Sequence, residues 1–299
     1  MLALAGAAKA GAAAAPPTLA ERRAGYAALM RLARYDRTGP AGEPVDCAAL
    51  SAPAALRLYR PADVAATRRA PAILFMGGGG FVAGDEASHE PVCRALAAES
   101  GAAVFSLLYR RAPEHPFPAA FDDAAITLDA LPALAAERGF DAARLAVAGE
   151  SVGATLALAA LAASTTRPRA LALVCPVLDL PGSRPSRVAM ARGRLVEADM
   201  IARDLADFAP RAEDRDDPRL RPLTAALRAP PAAIVHVAAE DPFRDEGVEG
   251  AAALEAAGAA TSLALHAGML HGFHAYGALV PVARAFMARL GAEIAEALA

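Results

Sequence analysis

Cysteine is scarce in this 299-residue chain: Cys47, Cys93 and Cys175 are an odd number, widely separated and without a C-x-x-C pair. Such spacing argues against a disulfide framework and against a structural zinc, and it fits a reducing, cytoplasmic setting. No cluster of His, Cys and carboxylates stands at metal-ligand spacing, so no metal is expected. Lysine is nearly absent, with Lys9 against 29 arginines, which reads as the coding bias of GC-rich DNA. The net charge of −3 provides no broad basic surface, and nucleic acid is not an expected partner. Long apolar runs are missing as well. Hydrophobic residues make up 56% of the chain, but 85 residues are alanine, and the longest candidate, Ser151 to Thr166, falls short of the roughly 18 residues of a membrane span. No membrane span is expected. The first 17 residues lack a basic start, are interrupted by Lys9 and close on Pro16-Pro17; they read as an arm, not a secretory signal.

What is present is an alternation. Short apolar runs at Leu56 to Tyr59, Ala72 to Met76, Ala102 to Leu108, Leu145 to Ala148, Ala170 to Cys175, Ile234 to Ala238 and Ser262 to His266 read as strands. Helical stretches at Pro91 to Glu99, Ala119 to Arg138, Ser151 to Ala163, Asp245 to Ala257 and Val282 to Leu298 separate most of them. Buried runs alternating with helices predict a doubly wound α/β fold with a parallel sheet covered on both faces. Two strandless, charged segments break the rhythm, residues 1–45, with Thr18 as a candidate N-cap, and residues 181–225. Insertions of this kind often cover the sheet edge where such folds bind ligands.

The sharpest local pattern is Gly149-Glu150-Ser151-Val152-Gly153, placed after a strand and opening a helix. A serine on so tight a turn sits in a strained backbone, and side chains two residues either side would collide, so glycine is needed at both flanks. Serine alone is a weak nucleophile and requires a base and an orienting acid, which in strand-turn-helix elbows of this type follow in the order acid, then histidine. Asp241 follows the strand Ile234 to Ala238, and His271 follows Ser262 to His266, so both lie at the same sheet edge as Ser151. Glu240, Asp245 and Glu246 are rival acids, the latter two also readable as first-turn carboxylates facing a helix dipole. His274 is the rival base; His236 and His266 lie within strands, and His89 and His115 read as structural. Four glycines, Gly77 to Gly80, follow the strand Ala72 to Met76. Without the Lys-Ser/Thr of a phosphate loop, their N–H groups fit an oxyanion hole, together with the amide of Val152.

Taken in order, GGGGFVAGD (77–85), YRRAPEHPFPAAFDD (109–123), GESVG, DPFRDE (241–246) and His271-Gly272-Phe273 make the chain resemble the α/β-hydrolase esterases of the hormone-sensitive-lipase-like family over roughly residues 55–290. The resemblance implies a mostly parallel eight-stranded sheet flanked by helices. It divides the chain into an N-terminal arm and cap helices (1–45), a first catalytic part (46–180), a cap insertion (181–225) and a second catalytic part (226–299). It further implies cofactor-free hydrolysis of short- to medium-chain acyl esters, with Ser151 as nucleophile, His271 as base and acid, and Asp241 as orienting carboxylate. Gly78, Gly79 and Val152 would supply the oxyanion donors. The partner implied is a small ester, and a homodimer is a family-level expectation. The same triad also serves amides, lactones and small acetylated metabolites, while non-catalytic receptors of this fold typically lack the histidine. Where the family carries His-Gly-Gly-Gly this chain has Gly77, so Gly77→His is expected to be tolerated or to raise kcat. Glu150, Val152 and Ala154 replace the family's Asp, Ala and Gly, and the bulk of Val152 is expected to narrow the acyl site or shift the helix start. Apolar cap residues Met190, Leu195, Met200, Ile201, Leu205 and Phe208 fit either a lid or plain packing. Activity is expected to fall on the acid side with an apparent pKa of about 6 to 7, because only neutral His271 accepts a proton.

Overall fold

The computed structural model describes residues 16–47, 54–61, 69–224 and 229–299. The expected arm over residues 1–15 lies outside the described residues. Among the described residues eight strands form one sheet: β1 (Glu43–Val45), β2 (Ala55–Tyr59), β3 (Ala72–Met76), β4 (Ala103–Leu108), β5 (Leu145–Glu150), β6 (Ala170–Val174), β7 (Ala232–Glu240) and β8 (Thr261–Leu270). Their spatial order is β1-β2-β4-β3-β5-β6-β7-β8. β2 runs antiparallel to β1 and β4, and all other pairings are parallel. The predicted α/β architecture is therefore present. β1 has no apolar run to announce it; Glu-Pro-Val is a strand because it pairs with Leu56 to Leu58.

Alternation along the central strands sorts the core into two layers. Leu74 and Met76 of β3, Val147 of β5 and Leu171 and Leu173 of β6 face α3 (Ala119–Glu137), α4 (Val152–Ala163) and α7 (Arg244–Ala256). The opposite face carries Ala146, Ala148, Ala170 and Ala172, against α2 (Glu86–Ser100) and α8 (Pro281–Ala297). Alanine thus supplies much of this face of the central strands. The two covering helices also approach closely, since a Cβ on Gly291 would lie 2.5 Å from Cβ of Glu99.

The first described helix, α1 (Leu19–Met30), begins at Thr18, which forms a capping box with Glu21. α2 departs from the sequence expectation. It starts at Glu86, five residues ahead of Pro91, which it carries inside, because Asp85 and Ser88 close a capping box there. That earlier start places His89 on the helix, in the buried layer. Residues 185–224 contain α5 (Pro185–Ala189), α6 (Ala198–Phe208) and three short 3₁₀ turns. The C-terminal end of α6 is fastened by Phe208, fully buried and stacked on Phe81 at 3.8 Å, with Phe117 and Phe121 around it.

The chain passes from β3 to β4 on one side and then returns to β5 on the other. A crevice opens at the carboxyl ends of strands where the winding reverses in this way. The glycine loop leaves β3 there, Ser151 leaves β5, and Asp241 and His271 follow β7 and β8. Among the described residues no helix is long and apolar enough to cross a membrane.

Candidate active site

Ser151 adopts φ 55° and ψ −122°, a conformation L-residues seldom take, between the last residue of β5 and the first of α4. Its backbone is held on both sides. Ser151 N–H donates to Val174 O at 3.0 Å, while Ser151 O accepts from Ala154 and Val177 at 3.0 and 3.1 Å. The flanking glycines are required by contact. A Cβ on Gly149 would lie 2.5 Å from Gly153 O, and one on Gly153 would strike the Met76 carbonyl. α4 begins at Val152 itself.

The three residues singled out in the sequence meet here. His271 Nε2 lies 2.9 Å from Ser151 Oγ, and His271 Nδ1 lies 2.7 Å from Asp241 Oδ2. Asp241 is fully buried, and its other oxygen accepts the Phe243 N–H at 2.8 Å. Since an ionised carboxylate only accepts, Nδ1 carries the proton and Nε2 faces the serine hydroxyl as acceptor. Burial of His271 disfavours its charged form, but the charge and hydrogen bond of Asp241, with Glu150 and Glu246 beyond, outweigh it and raise its pKa above the ordinary histidine value.

The rival residues are occupied elsewhere. His274 lies with Nε2 3.3 Å from Glu150 Oε2. Glu240 pairs with Arg194 at 2.6 Å, and Asp245 accepts the Ser186 N–H at 2.8 Å. Glu246 accepts the N–H groups of Leu178 and Asp179 at 2.9 Å and pairs with Arg187; burial still pushes its pKa up to about 7. His236 and His266 bond each other at 3.0 Å, and His236 also bonds Glu293, while His115 is exposed in a loop.

Gly78 lies against Ser151, where an added Cβ would be 3.0 Å from Ser151 Cβ, and Gly79 lines the same cavity as the serine. Gly79 has φ 111°, a left-handed conformation that suits glycine. Tyr109 Oη donates to Gly77 O at 3.0 Å and stands 3.3 Å from Gly78 O, so one buried hydroxyl holds both carbonyls. The Gly77 expectation needs correction. A Cβ at position 77 would lie 2.5 Å from His89 Nε2, so a histidine side chain is not accommodated unless His89 moves.

Sequence reasoning also missed two groups. Cys175 Sγ lies with donor atoms of Asp241 and His271 within 4.8 Å of one another. The Asp241 and His271 atoms are already spent on each other, and burial lifts the Cys175 thiol well above its usual pKa, so the set does not offer an open metal site. Glu150 is the second. Burial opposes its charge, yet His274, His89 and His271 hold it at about 2. A cavity of about 360 Å³ opens onto Ser151, lined in part by Tyr26 and Leu29 of α1, Leu195, and Met200 and Ile201 of α6. Of the six apolar cap residues, three line this cavity, while Phe208 and Met190 are buried and Leu205 lies elsewhere.

The alpha/beta hydrolase fold family matches residues 73–275. An ethyl acetate hydrolase of Pseudomonas putida is 37% identical over 231 residues, covering 75% of this chain and 73% of the relative. The hormone-sensitive lipase of Ictidomys tridecemlineatus is 29% identical over 187 residues, covering 60% of this chain and 24% of that protein. Among solved structures, the hyperthermophilic esterase from the archaeon Pyrobaculum calidifontis superimposes with a TM-score of 0.89 at 28% identity, covering 100% of this chain and 98% of that one.

Proposed function

The chain belongs to the alpha/beta hydrolase family in its hormone-sensitive-lipase-like branch and is a carboxylic ester hydrolase; from this premise we propose that Ser151, His271 and Asp241 carry the reaction. The observation that carries the reading is the continuous relay from Ser151 Oγ through both ring nitrogens of His271 to Asp241. Ser151 attacks the ester carbonyl while Nε2 takes its proton, and the imidazolium that forms is stabilised by Asp241. The proton then passes to the leaving alkoxide, and water, deprotonated by the same nitrogen, releases the acid. The N–H groups of Gly78, Gly79 and Val152 receive the negative charge that develops on the carbonyl oxygen.

We assign short- to medium-chain acyl esters as substrates, a reading supported by the apolar lining and size of the cavity. Residues 1–45 and 181–225 act as its cap on a catalytic domain formed by 46–180 and 226–299; helices from both cap segments line the cavity, which supports the division. A homodimer through the β8 edge is supported by ten uncharged residues there, with Leu263 and Leu265 exposed by 44% and 54%. Three free thiols support a cytoplasmic setting. Ser151→Ala is expected to lower turnover of p-nitrophenyl butyrate by about 10⁴-fold or more. Hydrolysis at the wild-type rate would overturn the assignment.

A further inference from the structure

His89 reaches none of the atoms that react, yet it occupies the space beneath the glycine loop. It is 5% exposed. A Cβ on Gly77 would lie 2.5 Å from its Nε2, and a Cβ on Gly84 would lie 2.9 Å from its Cε1, so glycine at the two ends of the loop is what admits the ring. The ring is also held on both edges. Nδ1 lies 3.1 Å from Ser88 Oγ and 3.3 Å from Asp85 O. Ser88 Oγ gives its own proton to Asp85 O at 2.8 Å, so both neighbours accept, and Nδ1 carries the hydrogen. On the other edge, Nε2 lies 3.1 Å from Tyr26 Oη and 3.8 Å from Glu150 Oε2. Glu150 directly precedes Ser151, and its Oε1 would lie 3.2 Å from a Cβ on Gly78. One ring therefore touches both ends of the loop, the residue before the nucleophile and the helix α1 that lines the cavity.

We propose that His89 is a positioning residue that sets the Gly78 and Gly79 amides against Ser151, filling from α2 the space a side chain at position 77 would take. The inference rests on the ester-hydrolase reading, in which those amides stabilise the developing oxyanion. A displaced donor weakens the transition state more than the bound ester, so loss of the ring acts on kcat and leaves KM nearly unchanged.

The test uses the full chain, p-nitrophenyl butyrate and a trifluoromethyl ketone as a mimic of the tetrahedral state. His89→Ala is expected to lower kcat by about tenfold to hundredfold with KM within about threefold, and to weaken ketone binding by the factor lost from kcat/KM. His89→Asn, which keeps a donor toward Ser88 and Asp85, is expected to retain several-fold more activity than the alanine variant, and it decides the matter if that variant does not fold. Gly77→His alone is expected to be impaired by collision with the ring, and Gly77→His/His89→Ala is expected to recover at least about tenfold over it, as coupled neighbours do. A kcat within twofold of wild type in the alanine variant would overturn the proposal, as would an asparagine variant no more active than the alanine one, a loss carried by KM in either variant, or a double variant no better than the product of the singles. These outcomes are separate from failure of the hydrolase reading, which would appear as an inactive wild type or an active Ser151→Ala.

Discussion

The backbone of Ser151 supplies a prediction about stability. With φ 55° and ψ −122°, Ser151 takes the torsions of the first central residue of a type II′ turn, a place where glycine is preferred. Holding an L-residue there costs of order 1–3 kcal/mol. Replacing Ser151 by Ala keeps that strain, whereas Ser151→Gly releases it; both lose the 2.9 Å hydrogen bond to His271, so that loss cancels in the comparison. Glycine gives back about 0.5–1 kcal/mol through the greater freedom of its unfolded chain. The difference leaves Ser151→Gly more stable than Ser151→Ala by up to roughly 2.5 kcal/mol, although both are inactive. Urea unfolding of the two variants reads this directly as a higher midpoint at equal slope for the glycine variant. An alanine variant more stable than the glycine one would show that the turn stores no strain at Ser151.

Asp241→Asn is expected to lower kcat by about 10⁴ by supplying the wrong hydrogen-bond partner to His271 Nδ1, with the fold retained. Because the carboxylate raises the His271 pKa and the base must be neutral, activity in the wild type is lost as pH falls through a value raised above the ordinary histidine pKa. Residual activity of Asp241→Asn should show that limb displaced to lower pH, and a limb that stays put would contradict the assigned coupling. The folding contribution of the same group has the opposite sense. It is full below the unfolded histidine pKa and lost as pH rises through the folded one. Phe208→Ala removes a fully buried ring stacked on Phe81 and is expected to cost about 3–5 kcal/mol of stability, measured by denaturant titration. A cost below about 1 kcal/mol would show that the end of α6 is not fastened through this ring.

Ser151 and Asp241 were legible because each follows a buried apolar strand, and His271 because it follows the uncharged edge strand β8; parallel strands deliver their ends to one edge of the sheet. The glycines at 149 and 153 were legible because a steric demand leaves few alternatives. Other features depend on partners distant in sequence. β1 is a strand only by pairing with β2, and α2 begins ahead of Pro91 because Asp85 and Ser88 cap each other. The space at Gly77 cannot be judged from the loop, since the atoms that fill it belong to a helix nine residues or more downstream. In α6 the apolar residues share one helical spacing, and whether each lines the cavity or the core depends on how the helix is rotated on the sheet. Met200 and Ile201 reach the cavity while Phe208 meets Phe81.

The central claim, that Ser151 is a nucleophile activated by His271 and Asp241, is tested most directly by treating the full chain with a fluorophosphonate and locating the adduct by peptide mass spectrometry. The account predicts a single phosphonylated site at Ser151, absent in Ser151→Ala and formed much more slowly in His271→Ala. A protein that hydrolyses esters with Ser151 unmodified, or that labels equally well without His271, would contradict it.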